Sequence, residues 1–219
     1  MKFELIVFDW DGTLMDSAEA IVRSIRAASQ DAGFHPPERE AARHVIGLGL
    51  IEAMNYLFPE ADESACDRLS DFYRHHYLKA SEDIALFEGA RETVSDLRKT
   101  GHLLAVATGK GRRGLDSAMQ RSEMGQYFHA TRCADECFSK PHPAMLIELM
   151  EELGVGPERT LMIGDTTHDL LMAKNAGVSS LALAHGAHRR QDLEPLEPLA
   201  CLNDFMELRT WLFERGLHG

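Results

Sequence analysis

The chain has 219 residues, more than the roughly 150 of an average domain, which suits one large domain or a domain carrying an insert. With 44% hydrophobic and 26% charged residues it can build a globular core, and no apolar run approaches the roughly 20 residues of a membrane span, so no membrane partner is expected. Lys and Arg number 23 against 35 Asp and Glu, and the resulting net charge of −12 repels a polyanion and excludes a fold-wide nucleic-acid binder.

The start, MKFELIVFDW, carries an acid and runs straight into strand-like sequence, unlike a signal peptide. The four cysteines are too scattered for a disulfide scaffold, and a cytoplasmic setting is expected. Leu5 to Phe8 is short, continuous and apolar, which predicts a strand buried on both faces. Asp9 follows at once, then the turn formers Asp11 and Gly12. Asp16 or Ser17 is placed to cap a helix reaching about Gln30, because Ala18, Ile21, Val22, Ile25 and Ala28 recur at helical spacing. Pro36-Pro37 ends that region.

From Glu38 to Glu82 no strand is expected. Helices are predicted over Glu38–His44, Leu50–Leu57 and Asp62–Lys79, with a break at Gly47-Leu48-Gly49. So long a strandless stretch between two strands suggests an inserted helical module. Beyond Gly89 the pattern alternates. Helices are expected over Ala90–Lys99, Gly111–Ser122, Pro143–Leu153, Thr166–Asn175 and Leu202–Phe213. Strands are expected over Leu103–Ala107, near Phe128–Thr131, and over Leu161–Ile163 and Ser180–Ala184. The fold class is therefore α/β, a parallel sheet with helices on both faces. His185–Pro198, rich in charges and turn formers, is the least structured segment expected.

Such sheets bind ligands at the carboxyl ends of their strands. Past the first strand come Asp9, Asp11, Gly12 and Thr13; past the Leu103 strand, Thr108 and Gly109; past the Leu161 strand, Gly164, Asp165 and Asp169. Lys140 precedes Pro141 in a loop. If these strands are neighbours, several carboxylates converge with one hydroxyl and one ammonium. Clustered carboxylates repel and call for a cation, and an all-oxygen donor set favours a hard ion such as Mg²⁺. A Lys and a Thr beside backbone N–H groups suit phosphate oxygens. One strand-end Asp can then attack phosphorus, and Asp11 can serve as acid for the leaving alkoxide and later as base for water.

Asp9-Trp10-Asp11-Gly12-Thr13-Leu14, Thr108-Gly109, Lys140 before Pro141, and Gly164-Asp165-Thr166-Thr167-His168-Asp169 resemble the four motifs of the haloacid dehalogenase superfamily, in the family's order. Within it, the chain looks most like the phosphoglycolate phosphatase group. The resemblance implies a Rossmann-like catalytic core over 1–16 and 84–219 and an all-helical cap over 17–83. It implies that Asp9 is the nucleophile that forms an aspartyl-phosphate and Asp11 the general acid/base. It implies Mg²⁺ held by the Asp9 carboxylate, the Asp11 carbonyl and Asp165, with Asp169 in or just outside the ligand set. Thr108 and the Gly109 amide would bind phosphoryl oxygens, and Lys140 would neutralise charge. The implied activity is hydrolysis of a small phosphorylated metabolite, with phosphoglycolate the leading candidate. A phosphosugar mutase shares all four motifs, and an inorganic pyrophosphatase fits the same chemistry. Dehalogenating and phosphonate-cleaving relatives lack the second Asp, which is present here as Asp11. A decayed, non-enzymatic regulator is disfavoured because every catalytic side chain is in place. The oligomeric state is not written in these motifs.

Other readings compete at single positions. Asp9 and Asp11 also suit a turn, Asp169 also suits a helix's first turn, Thr108 also closes a strand, and Lys140 also suits a solvated surface. Gly109–Gly114 is formally G-x-G-x-x-G, a dinucleotide loop with Asp135 some way downstream, or else a basic loop whose Lys110 draws an anionic substrate in. Gly47 and Gly49 suit an interhelical turn or a substrate loop. His168 suits a solvated helix start or a contact with substrate or insert. His129, Cys133, Cys137 and His142 form a loose zinc-like set, and the roles of Cys133 and Cys137 stay open. Phe72, Tyr73, His75, His76 and Tyr77 read as the mixed face of a helix. Trp10 is expected to point away from the metal, toward the core or the hinge of the insert.

Overall fold

A computed structural model describes residues 3–81 and 84–216. Six strands form one parallel sheet: β1 (Leu5–Phe8), β2 (Leu103–Thr108), β3 (Ala130–Cys133), β4 (Thr160–Gly164), β5 (Ser179–Leu183) and β6 (Cys201–Leu202), in the order β3-β2-β1-β4-β5-β6. This is a Rossmann-like α/β arrangement. β1 lies at its centre, with Phe8 level with Val106 of β2 and Ile163 of β4.

Alternation along the strands makes two cores. Ile6, Phe8, Leu104, Val106, Leu161 and Ile163 meet Val94 and Leu97 of α5 (Ala90–Lys99), Leu115 of α6 (Arg112–Ser122) and Phe205 and Leu208 of α10 (Phe205–Trp211). Leu5, Val7, Ala105, Ala107 and Met162 meet Met145, Leu146 and Leu149 of α7 (Ala144–Leu153) and Met172 of α8 (Thr167–Asn175). Continuous apolar strands are what burial on both faces requires.

Between β1 and α5 lie the four helices of the insert among the described residues: α1 (Ala18–Asp31), α2 (Arg39–His44), α3 (Leu50–Leu57) and α4 (Glu63–Ala80). They pack on one another around Ile21, Val22, Ile25, Val45, Ile46, Met54, Phe58 and Leu69, a hydrophobic cluster of their own. Asp62 caps α4 by accepting from the Ala65 amide at 2.8 Å. The chain enters and leaves the insert side by side: Asp16 N donates to Ala85 O at 3.0 Å and Phe87 N to Leu14 O at 3.0 Å. Of the expected boundaries, residue 83 lies outside the described residues, as do 1–2 and 217–219 of the core segments.

Some local expectations shift. Neither Asp16 nor Ser17 caps α1 through its side chain. The Ser17 hydroxyl donates instead to Asp11 Oδ1 at 2.8 Å, because a buried carboxylate is the stronger acceptor. The strand expected near 128–131 runs over Ala130–Cys133. The last helix starts at Phe205, with Asp204 as its cap, because Cys201–Leu202 pairs with β5 as an edge strand. The segment 185–198 holds a short helix, α9 (Arg190–Leu193), anchored by buried Leu193.

Candidate active site

Asp9 leaves β1 with its amide donating to Ile163 O at 2.9 Å, so the β1–β4 pairing fixes its backbone. Asp165 leaves β4, Asp169 sits in the first turn of α8, and Lys140 lies in the loop before α7. Lys140 Nζ donates to Asp9 Oδ1 at 2.7 Å and to Asp169 Oδ1 at 2.6 Å. Asp165 Oδ1 accepts from the Thr13 hydroxyl at 2.6 Å and Oδ2 from the Ala187 amide at 2.6 Å. Asp169 Oδ2 accepts from the Thr166 amide at 3.0 Å and its hydroxyl at 2.7 Å, half of a capping box. All four side chains are buried, which rules out a solvated-surface role for Lys140.

Oxygens of Asp9, Asp165 and Asp169 lie within 4.8 Å of one another, and no other carboxylate, imidazole or thiol group of three does so among the described residues. The Asp9 carboxyl is pushed up to about 7, most by burial and also by Asp169 and Asp11, against the pull of Lys140. Asp165 is raised well above the usual carboxylate range, first by burial and then by Asp9 and Asp169. Burial works against the Lys140 ammonium, but Asp169 and Asp9 outweigh it and hold it charged. Three carboxylates face one ammonium, and Asp9 Oδ2 is buried with no hydrogen-bond partner. An unpartnered oxygen in an all-oxygen set with surplus negative charge fits a hard divalent cation. Asp169 has both oxygens engaged, so it suits a place just outside the ligand set.

Asp11 faces the other way. Its Oδ1 accepts from Ser17 Oγ at 2.8 Å and from the Tyr77 hydroxyl at 3.3 Å, while Oδ2 pairs with Lys110 Nζ at 2.8 Å. Its carboxylate is therefore outside the Asp9 cluster, which leaves only its main-chain carbonyl as a metal donor. Lys110 also donates to the Tyr77 hydroxyl at 3.1 Å and stands 4.3 Å over that ring. Burial raises the Tyr77 hydroxyl above its ordinary value, with Asp11 adding to it. Burial opposes the Lys110 charge, but Asp11 and the two tyrosines restore it.

A cavity of about 730 Å³ joins these groups, lined at one end by Asp9, Asp11, Thr108, Gly109 and Lys110 and bordered by Gly47 and Gly49 of the insert. The Thr108 hydroxyl accepts from the Lys110 amide at 3.2 Å. Gly109 must be glycine here, since a Cβ would run into the carbonyls of Gly47 and Leu48. The Gly49 amide in turn donates to Ser139 Oγ at 2.7 Å, so the insert loop rests on the core beside Lys140.

The structure does not bring His168 to the cavity. Its Nε2 donates to the His44 carbonyl at 2.7 Å, and His188 Nε2 meets the same carbonyl at 3.1 Å. Burial lowers both histidines, His188 to about 4, so neutral rings tie α2 to the core. The dinucleotide reading of Gly109–Gly114 meets an obstacle: the Arg112 amide at the start of α6 already donates to the Asp135 carboxylate at 2.9 and 3.1 Å, where a pyrophosphate would have to sit. The zinc-like set does not converge. His129 bonds the Leu104 amide at 3.0 Å, and all four cysteines are free, Cys133 buried and Cys137 half-buried. Trp10 packs into the core against Phe128, ring centroids 6.4 Å apart, away from the carboxylates.

From the sequence Thr13 has no role, Ser17 is a helix cap and Tyr77 part of a mixed helix face; none of these readings places them at the site. Thr13 carried a signal, since it closes the D-x-D-G-T run. Tyr73 and Tyr77, four apart on α4 and stacked at 5.6 Å, carried a weaker one.

A family model described as "Haloacid dehalogenase-like hydrolase" matches residues 6–183. Three curated proteins are similar over almost their whole length. "Probable phosphatase IndB" of Dickeya dadantii is 34% identical, covering 93% of this chain and 91% of that one. "Pyrophosphatase PpaX" of Bacillus mycoides is 30% identical, covering 95% and 96%. "Phosphoglycolate phosphatase" of Agrobacterium fabrum is 30% identical, covering 96% and 93%.

Proposed function

The chain belongs to the haloacid dehalogenase-like hydrolase family as a phosphatase, and from that premise we propose that it hydrolyses a small phosphate monoester, with Mg²⁺, through an aspartyl-phosphate on Asp9. The observation that carries this reading is Asp9 itself. One oxygen is held by Lys140 and the other is unpartnered, at the end of a cavity that Asp11 also lines.

In the first step a carboxylate oxygen of Asp9 attacks phosphorus, and the bond from phosphorus to the ester oxygen breaks. Asp11 gives its proton to the departing alkoxide. In the second step water attacks the aspartyl-phosphate, Asp11 takes the water's proton, and Asp9 and inorganic phosphate are released. Thr108 and the Gly109 amide hold the phosphoryl oxygens, and Lys140 offsets the charge that Asp9 and the phosphoryl group share. Asp9, Asp165 and the Asp11 carbonyl would hold the Mg²⁺, with Asp169 orienting Lys140. The cation would screen charge on the phosphoryl oxygens. The insert 17–83 acts as a cap that shields the ester from bulk water. Together these groups lower the barrier by on the order of 20 kcal/mol. The setting proposed is the cytoplasm; no helix among the described residues is long and apolar enough to cross a membrane.

Phosphate release from single esters tests this. Release from phosphoglycolate, or from pyrophosphate as the second relative's name suggests, supports hydrolysis. Isomerisation of a sugar phosphate without phosphate release would make the protein a mutase and overturn the reading.

A further inference from the structure

The cavity above the candidate nucleophile is larger and more apolar than phosphoryl chemistry demands. Its volume of about 730 Å³ lies well inside the range of roughly 300–1,000 Å³ that encloses drug-sized ligands. A two-carbon acid or a second phosphate would leave most of it unfilled. Beyond Asp11 the wall is built by the insert: Ile25, Val45 and Ile46 are buried residues that line the space, and Leu48 and Tyr73 continue it. At the mouth, Ile51 and Leu78 stay 43% and 63% exposed, large apolar side chains with nothing covering them.

The charges point the same way. Lys110 is the buried cation of the lining, with its ammonium matched by Asp11 at 2.8 Å, while Arg74, Arg113 and Arg121 line the cavity only from exposed, solvated positions. A second anion drawn to Lys110 would displace Asp11 from that pair and crowd the acid that serves the leaving oxygen. A neutral alkyl or aryl group meets neither cost, and it buries the apolar wall.

We propose that the preferred ester carries an uncharged, apolar-bodied leaving group, of at least hexyl or benzyl bulk, seated between α1, the Val45–Leu50 segment and α4. This rests on the phosphatase reading and narrows it.

Straight-chain alkyl phosphates from ethyl to octyl test the idea, because their alcohols differ little in acidity and the chemistry stays constant along the series. Complete burial is worth roughly fourfold per methylene; kcat/KM is therefore expected to rise at least thirtyfold from ethyl to hexyl phosphate, and hexyl phosphate to exceed phosphoglycolate and pyrophosphate. Leu78→Asp and Ile51→Asp, at exposed positions that tolerate polar groups, are expected to cut the hexyl-to-ethyl ratio at least fivefold. A flat series, an unchanged ratio in both variants, or a higher kcat/KM for phosphoglycolate or pyrophosphate overturns the inference while leaving the phosphatase reading in place. No turnover of any ester, an aryl phosphate included, removes both.

Discussion

At the cavity floor stands Asp9, with Lys140, Asp165 and Asp169 clustered behind it; all four are buried, and Lys140 bridges two of the carboxylates at 2.7 and 2.6 Å. On the wall supplied by the insert, Ile25, Val45 and Ile46 are just as buried and carry no charge. The two regions reach the same burial by opposite means. The floor is held by directional bonds between charges, each of which is costly to bury unless it is partnered. The wall is held by apolar contact, which depends on volume and little on direction. Substitutions that keep shape but alter charge should therefore ruin the floor, and the wall should respond mainly to size and polarity.

The largest effect is expected at Asp9. Asp9→Asn keeps the shape and removes the nucleophile, and phosphate release should fall at least four orders of magnitude, with the circular dichroism spectrum unchanged. A rate within tenfold of the parent would end the covalent route. Metal removal comes next. Chelation should abolish turnover, and added Mg²⁺ should restore it. Saturating Mg²⁺ at about 100 times its Kd should also stabilise the fold by ~2.7 kcal/mol, a rise in Tm of roughly 5–10 °C. Asp165→Asn should lose that rise; an equal rise in the variant would place the ion elsewhere.

Asp11 separates chemistry from charge. Asp11→Asn should lower kcat on alkyl phosphates by roughly 10²–10⁴. On an aryl phosphate, whose leaving group departs without a proton, the loss should be clearly smaller in the first step. Equal losses on both would mean that Asp11 acts through its pair with Lys110 and not as an acid.

The same contrast explains what could be read from the sequence. Asp9 and Asp165 were legible because a charge placed directly after a buried strand stands out against apolar sequence, and Asp11 and Asp169 by their fixed spacing from those two. The alternation of strands and helices implied a parallel sheet, but that β1 and β4 are neighbours was a condition the sequence left open and the pairing in the sheet meets. Lys140 had only its place before Pro141 to mark it; its reach to both Asp9 and Asp169 is set by how the loop before α7 folds over the sheet. The wall was illegible for a different reason. Ile25 and Ile46 also belong to the insert's own hydrophobic cluster, so their spacing signals a helix core and nothing more. Ser17 followed a local rule, the helix cap, until Asp11 offered a stronger acceptor. Cys201–Leu202 was too short for any periodicity to show.

Tyr77 tests where floor and wall meet, because its ring lines the cavity while its hydroxyl reaches Asp11 at 3.3 Å and Lys110 at 3.1 Å. Burial raises its titration, and the neighbouring Asp11 raises it further, so the hydroxyl stays protonated and can donate. Tyr77→Phe keeps the ring beneath the Lys110 ammonium and deletes one polar atom. A single net hydrogen bond is worth about 1 kcal/mol. The lost bond to Asp11 is long, and Ser17 and Lys110 still hold that carboxylate. The expected change is therefore a twofold to fivefold drop in kcat, with KM for a long alkyl phosphate nearly unchanged. A loss beyond a hundredfold would put the hydroxyl in the proton path and assign α4 to the chemistry as well as to the wall. A rise in KM at constant kcat would instead make Tyr77 purely a wall residue whose hydroxyl orients the leaving group.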